Sequence, residues 1–117
     1  MESEKDYIIE KVSWFTKRKF TPPLTLEEIN QSYLTFRIMI DFLQSHNLTT
    51  RVILLENELV TDDSELKVSD LTEKGLLFYK KGIILWNKRI DRNKDKLRAI
   101  QDISFLEKKF RDLKEGD

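Results

Sequence analysis

Few residues of this chain combine types and spacings that could perform chemistry. The only histidine, His46, stands in a sequence without cysteine, whereas a zinc site needs three or four such ligands. Ser45 precedes it, but a nucleophilic serine also requires a base and an orienting group that meet it in space. The sequence therefore predicts neither a catalytic nor a metal site at His46, and its place at a helix end favours contact with terminal carbonyl groups.

Acidic residues form two further patterns that a chemical interpretation must consider. Glu27 and Glu28 lie at the start of a predicted helix, where capping and the helix dipole already explain them. Asp62, Asp63 and Glu65 suggest a hard-cation site, but the segment lacks the glycine and the ligand spacing of a calcium-binding loop. The three glycines form no phosphate-binding loop. We therefore predict no enzyme activity, no cofactor, no metal and no small-molecule substrate.

Size and composition favour one domain spanning residues 1–117. Hydrophobic residues make up 39% of the chain, which is enough for one core, and charged residues make up 36%. The charged amino terminus does not have the pattern of a signal peptide. The longest apolar region, residues 75–86, is shorter than the roughly 20 residues of a membrane span. We expect a cytoplasmic protein with no membrane partner.

Charge is balanced over the whole chain but is distributed unevenly along it. The 21 basic residues equal the 21 acidic residues in number. Residues 56–71 hold six acids and one base, whereas residues 73–98 hold nine bases and three acids. A domain dedicated to nucleic acid usually shows a basic excess. Composition therefore leaves both DNA and protein open as partners.

The first predicted element is a helix that begins at Ser3. Ile8, Val12 and Phe15 follow one helical stripe after this cap. The two consecutive prolines at positions 22 and 23 prevent this helix from continuing.

A capping box formed by Thr25 and Glu28 predicts the second helix. Asn30 and Ser32 then offer a left-handed turn and a new N-cap, which predicts a bend before a third helix. One unbroken helix over residues 26–46 is the alternative, since the apolar stripe continues through the bend.

Asn47 suits a left-handed helix end, and the hydrophobic period changes after Leu48. Residues 50–55 are rich in β-branched and aliphatic side chains, and Leu66 and Val68 alternate with polar neighbours. Both segments are predicted strands of one hairpin with a long acidic tip. The predicted fold class is thus α+β and mostly helical.

The remainder of the chain is predicted to be helical, with Thr72 as the cap. Gly75, in the first turn, indicates close approach to a neighbouring element. Beyond Gly82 the apolar residues follow a heptad-like spacing, which fits one long helix or two helices that break near residues 92–94. This stripe either covers the chain's own core or forms a homodimer. Its candidate interaction residues are Trp86, Ile90, Leu97 and Ile100.

Taken in order, these elements resemble a winged helix-turn-helix domain. Residues 24–29 and 40–48 are similar to the second and third helices of such domains. Residues 66–75, Leu-Lys-Val-Ser-Asp-Leu-Thr-Glu-Lys-Gly, are similar to the strand and helix start that follow the wing. The resemblance covers about residues 5–85 and leaves about residues 86–114 as a C-terminal helical extension. It implies a two-stranded wing on a small domain of prokaryotic or phage type.

The resemblance also implies a function, that of a DNA-binding transcription regulator. In such domains the third helix enters the major groove of duplex DNA. The candidate contacts are Gln31, Ser32, Thr35, Arg37, Lys17, Arg18 and Lys19. The alternative is a protein-binding module on the same scaffold, such as a toxin-neutralising immunity protein or a phage accessory factor. Its acidic tip, with Asp62, Asp63 and Glu65, would then dock on a basic partner.

Overall fold

In a computed structural model, the described residues 6–17, 19 and 23–116 form an α+β fold that is mostly helical. Strand β1 (Ile8–Lys11), helix α1 (Ser13–Thr16) and helix α2 (Leu26–Ser45) precede a long loop. Strand β2 (Glu65–Lys67) follows it, and then come helices α3 (Glu73–Phe78), α4 (Ile84–Arg92), α5 (Lys96–Gln101) and α6 (Ile103–Gly116). A 3-10 turn, Val68–Asp70, precedes α3, and a π-helical turn, Tyr79–Ile83, joins α3 to α4.

The two strands pair antiparallel although α2 and the long loop separate them in sequence. Ile8 lies opposite Lys67 and Glu10 lies opposite Leu66, with an irregularity in the register between Ile8 and Glu10. The predicted first helix is therefore wrong over residues 8–11, and Ser3, its predicted cap, lies outside the described residues. The β-branched Ile8 and Ile9 favour a strand once a partner strand supplies hydrogen bonds.

Helix α2 starts at the predicted capping box. The backbone N–H of Glu28 donates to the Thr25 hydroxyl over 3.1 Å, and the Glu28 carboxylate accepts from the backbone N–H of Thr25 over 2.8 Å. The predicted bend at residues 30–32 is wrong, because α2 continues to Ser45 without a break. Packing favours the outcome, since α2 buries one face from Phe36 to Leu43 in the core and the helix propensity cost of Asn and Ser is small.

The predicted strand over residues 50–55 is also wrong, because this segment forms a bent loop. Side chains of α2 satisfy its backbone instead of a partner strand. The Gln44 carboxamide accepts from the N–H groups of Ile53 and Leu54 and donates to the carbonyl of Leu54. The Arg37 guanidinium donates to three carbonyls of the same loop, which belong to Leu55, Glu56 and Glu58.

The predicted signals for the end of α2 and for the start of α3 are confirmed. Asn47 adopts a left-handed conformation with φ of 59° directly after α2. The Thr72 hydroxyl accepts from the N–H of Gly75 over 3.0 Å, as a cap of α3 should. Leu48 lies against this cap, since its carbonyl accepts the backbone N–H of Thr72 over 3.0 Å. The chain after α2 is thereby fixed to the start of α3.

The C-terminal region divides at the predicted break. Helix α4 ends at Arg92 and α5 begins at Lys96, and a second break at Asp102 separates α5 from α6. The Lys96 ammonium donates to the carbonyls of Ile90 and Asp91 at distances of 3.3 and 2.8 Å, which satisfies the exposed end of α4.

One apolar core holds these helices together, and the C-terminal stripe is part of it. Trp86 is 0% exposed and lies in this core with residues of α2, β2 and α6. Phe42 and Phe78 stack with ring centroids 5.3 Å apart, and Phe110 meets both rings edge-on. The largest fully buried side chains are Trp86, Phe78, Ile40, Leu43, Leu48, Leu66, Ile83, Ile100 and Leu106.

The Gly75→Ala substitution should destabilise the fold. An added Cβ would lie 2.2 Å from the Leu48 carbonyl oxygen, a backbone atom that the Thr72 cap holds in place. Overpacking of this kind costs about 1–3 kcal/mol, whereas Gly to Ala inside a helix ordinarily gains about 0.5–1 kcal/mol. We expect the free energy of unfolding, measured by urea denaturation, to fall.

Lys80→Ala serves as the matched control, because Lys80 is exposed in the same continuous helical stretch. It should change the free energy of unfolding by less than about 0.5 kcal/mol. A Gly75→Ala protein as stable as the wild type would show that the Leu48 carbonyl does not approach α3 this closely.

Candidate functional site

The described structure contains a groove of about 690 Å³. Its walls come from β1 and α1 on one side, α2 on the second, and α4 and α5 on the third. We call this the groove, and its volume lies in the range of about 300–1,000 Å³ that is typical of binding sites. Its lining divides into an apolar floor and a polar rim.

The floor of the groove is built from core side chains. Val12, Phe36, Met39, Ile90 and Ile100 line it, and each is at most 6% exposed. These side chains are fixed by packing on their inner sides, so the floor is a rigid apolar surface. It can bury an apolar group of a ligand without rearrangement of the chain.

Two carboxamides face each other across the rim. Gln31 lies on α2 and Asn87 on α4, and both are partly buried. Among the described residues neither side chain makes a hydrogen bond, and the same holds for the hydroxyl of Ser32 between them. Each amide offers donors and an acceptor to a ligand. The rim can therefore recognise polar groups that are themselves neutral.

The charged groups of the rim are mostly engaged within the chain. Lys11 pairs with Glu65 at 3.6 Å, and Lys96 donates to the end of α4. Glu28 closes the capping box of α2. Of the rim charges in the described part of the chain, Asp91 makes no side-chain hydrogen bond or ion pair. The groove consequently lacks a free cation for a strongly anionic ligand.

A partly buried acid, Glu10, joins the groove to the core. The Tyr79 hydroxyl donates to its carboxylate over 2.5 Å and lies 3.3 Å from the carbonyl oxygen of Ile9. Burial raises the pKa of Glu10, and the Tyr79 hydrogen bond offsets this only in part. Burial and the neighbouring carboxylate raise the pKa of Tyr79, which therefore remains a donor.

The predicted DNA contacts on α2 do not form one exposed face. Gln31, Ser32 and Thr35 line the groove, and the Thr35 hydroxyl donates to the Gln31 carbonyl over 2.7 Å. The Arg37 guanidinium is occupied by three loop carbonyls and by Asp41 at 3.2 Å. Arg37 therefore acts as a structural clamp in this conformation and is not free to reach a base.

The basic run before α2 is only partly described. Lys17 pairs with Asp62 at 3.5 Å, and Lys19 is exposed. Arg18, the third member of the predicted cluster, lies outside the described residues.

The predicted acidic tip is largely tied to its surroundings. Asp62 accepts hydrogen bonds from the hydroxyls of Thr16 at 2.8 Å and Tyr33 at 2.9 Å. These two bonds, with the nearby Lys17 ammonium, lower the pKa of Asp62. Glu65 lies in β2 beside two lysines, whereas Asp63 is exposed. The segment therefore presents less free negative charge than its sequence indicates.

The four residues predicted to form a homodimer differ in how deeply they are buried. Trp86, Ile90 and Ile100 are at most 6% exposed and belong to the chain's own core, so most of their surface is already covered within the chain. Leu97 is 42% exposed on α5. The C-terminal stripe thus folds back on its own core, and self-association stays a prediction.

Sequence reasoning missed Asn87, Asp91 and Glu10 as lining residues of the groove. Asn87 and Asp91 are one helical turn apart beside the buried Trp86 and Ile90, a polar pair within an apolar stripe. This polar pair is the sequence feature that indicates a side of α4 turned away from the core. No such signal pointed to Glu10, because its position depends on the pairing of β1 with β2, whereas the sequence predicted a helix there.

His46 makes the contacts of a structural residue at a helix end. Its Nδ1 is 3.0 Å from the Phe42 carbonyl oxygen, and its ring stacks on the Phe42 ring with centroids 4.0 Å apart. Within the described ranges no three histidine or carboxylate side chains are grouped as metal ligands. No helix there is both long and apolar enough to cross a bilayer.

Comparison with known proteins supplies no relative. No protein-family model, no curated protein and no solved structure matches this chain. Function must therefore be argued from the groove and the surfaces of this chain alone.

The Glu10→Gln substitution should change how stability depends on pH. Because burial raises the pKa of Glu10 in the folded protein, the folded state binds this proton more tightly than the unfolded chain does. The contribution of Glu10 to stability is full at low pH and is lost as pH rises from about 4.3 through the raised pKa. The free energy of unfolding of the variant, minus that of the wild type, should therefore increase between about pH 4 and pH 7.

Urea denaturation at several pH values measures this difference. Glu107→Gln is the matched control, since Glu107 is exposed and the substitution changes net charge equally. Its difference from the wild type should not rise over that pH interval. A pH-independent difference for Glu10→Gln would mean that the Glu10 carboxylate is as well solvated in the folded state as in the unfolded chain.

Proposed function

We propose that this protein is a binding module, without catalytic activity, that holds a segment of a partner protein in its groove. The observation that carries the proposal is the groove itself, a rigid apolar floor beneath a rim with uncommitted amides. This corresponds to the protein-binding alternative from the sequence, with the contact surface moved from the acidic tip to the groove.

Apolar surface extends beyond the concavity, which favours a polypeptide over a small molecule. Trp14, next in sequence to Phe15 of the lining, is 52% exposed, and Leu26, next in sequence to Thr25 of the rim, is 73% exposed. Exposed apolar patches next to a concave site are typical of protein interaction surfaces. A partner segment with two or three apolar side chains would cover both the floor and these flanking residues.

The amides Gln31 and Asn87 suit the main chain of such a segment. A peptide bond exposes one N–H and one C=O, and each carboxamide offers the complementary acceptor and donors. The two stand on opposite walls of the groove. Main-chain recognition of this kind gives affinity with limited sequence specificity, and the pockets of the floor then select the apolar side chains.

Selection from a displayed library of random 12-residue peptides, followed by titration of enriched peptides, tests the proposal. Ser32→Trp should weaken their binding by about tenfold or more, because the indole fills space that a buried apolar side chain of the peptide would use. Ser32 lines the groove, and its hydroxyl makes no hydrogen bond among the described residues, so the substitution removes no interaction of that kind.

Asn30→Trp is the matched control, as Asn30 is exposed on the same helix and does not line the groove. It should leave peptide affinity unchanged, whereas Gln31→Ala and Asn87→Ala should each weaken it. Failure to enrich any peptide, or enriched peptides that bind Ser32→Trp as well as the wild type, would refute the proposal.

A second candidate function is the DNA binding that the winged-helix resemblance implied. The observation that favours it is a row of cations on the α3–α4 stretch. Lys80, Lys81, Lys88 and Arg92 are exposed, and in the described part of the chain they form no ion pair. Phosphate neutralisation by such residues supplies much of the affinity for duplex DNA. The contact surface would then be this row rather than α2.

Fluorescence anisotropy with random duplex DNA at about 50 mM salt tests this second candidate, because non-specific affinity is large at low salt. The double variant Lys80→Gln/Lys81→Gln should weaken binding and lower the salt dependence by roughly 0.9 in log–log slope for each phosphate that the protein no longer neutralises. Lys17→Gln/Lys19→Gln removes equal charge from the site predicted by sequence and should have little effect. Absence of binding at this salt concentration would exclude the candidate.

A further inference from the structure

A second concavity of about 500 Å³ lies between α4 and α6, and we call it the basic cleft. Leu85, Lys88, Arg89, Arg92 and Asn93 line one side, and Phe105 lines the other. Residues 85, 88, 89 and 92 share one face of α4, because they recur at spacings of three and four. This face is opposite to the one that carries Asn87 and Asp91 toward the groove.

Arg89 is only partly satisfied within the chain. Its Nη2 lies 3.1 Å from the Asp102 carboxylate, and its guanidinium stands over the Phe105 ring at 5.3 Å from the centroid. Its Nη1 is buried from solvent and has no hydrogen-bond partner. A buried donor without an acceptor is unusual in folded proteins, and this one belongs to a side chain that lines the basic cleft.

Charge in the basic cleft is strongly uncompensated. Lys88 and Arg92 are exposed and make no ion pair among the described residues, whereas Arg89 is paired with Asp102. Three cations against one carboxylate leave about two positive charges facing one cavity. A phosphate monoester carries about −1.5 to −2 at neutral pH, whereas a carboxylate or a phosphodiester carries about −1.

Side-chain geometry agrees with this charge. A guanidinium presents parallel N–H donors that match two oxygens of a phosphate, and a lysine ammonium adds a mobile point charge. Leu85 is 42% exposed beside these cations, and it forms an apolar wall together with Phe105. The cavity thus offers a cationic end and an apolar side to one ligand.

We propose that the basic cleft binds a small organic phosphomonoester, with its phosphate between Lys88, Arg89 and Arg92 and its carbon portion against Leu85. The inference is independent of the proposed peptide binding, because the groove lies on the other face of α4 and shares no lining residue with the basic cleft, whereas Lys88 and Arg92 also belong to the row of cations considered for DNA.

Titration of the full-length protein with phenyl phosphate at about pH 7.5, followed by amide NMR, tests this inference. Saturable shifts of residues 85–93 and 105 are expected. Phenyl phosphate should bind about tenfold or more tightly than dimethyl phosphate, a diester with one charge, and more tightly than inorganic phosphate, which lacks the carbon portion.

Lys88→Gln and Arg92→Gln should each weaken phenyl phosphate binding by about tenfold, the effect of losing one charge-assisted hydrogen bond. Lys80→Gln and Lys81→Gln are the matched controls, since they remove equal charge earlier in the same helical stretch and do not line the cleft. Arg89→Lys retains the charge, removes the planar fork, and should also weaken binding.

Three results would overturn the assignment. One is a linear response without saturation up to about 10 mM ligand, where even a weak site with a millimolar Kd would be largely filled. Another is equal loss of affinity in the Lys80 and Lys81 controls, which would indicate a diffuse surface charge. The last is equal affinity for dimethyl phosphate or for inorganic phosphate, which would remove the dianion or the organic portion from the proposal.

Discussion

Hydrogen bonds from two side chains of α2 to the loop at residues 53–58 determine much of this fold. Buried or half-buried backbone groups must find partners, and the Gln44 carboxamide and the Arg37 guanidinium supply them here. The two residues are seven positions apart, which is close to two helical turns, so they lie on the same side of α2. The loop thus takes backbone partners from α2 and forms no strand, and β2 pairs with β1 instead.

Features set by neighbours within a few residues could be predicted from the sequence. The Thr25 capping box, the left-handed Asn47 and the Thr72 cap are all of this kind. Each depends on the chemistry of one turn, where side chain and backbone are already adjacent. The break after Arg92 belongs to the same class.

Features that depend on distant partners could not be predicted. Ile8, Val12 and Phe15 fit a helical spacing, yet the pairing of β1 with β2 places residues 8–11 in a strand. Likewise Asn30 and Ser32 offered the local chemistry of a bend, but α2 continues through them and packs its later turns, from Phe36 to Leu43, in the core. In both cases a weak local preference of a few tenths of a kcal/mol per residue met a larger tertiary contribution.

The candidate site follows the same division. Gln31, Ser32 and Thr35 could be identified as one face of α2 from sequence alone, but not as the wall of a groove. A concave surface requires β1 on one side of that face and α4 on the other, and neither position is encoded near residues 31–35. The sequence therefore identified these residues of α2 as one face, but it did not predict that they line a concave surface.

Burial of Trp86 determines which face of α4 lines the groove and which face lines the basic cleft. The indole is 0% exposed and packs in the apolar core, which opposes rotation of the helix about its axis. Rotation of α4 would expose Trp86 and Ile90 together, at roughly 1.5–3 kcal/mol for each side chain. Asn87 therefore stays directed to the groove and Lys88 to the basic cleft. Because the helix between them is locked in this rotation, a ligand in either concavity meets a surface that is already formed.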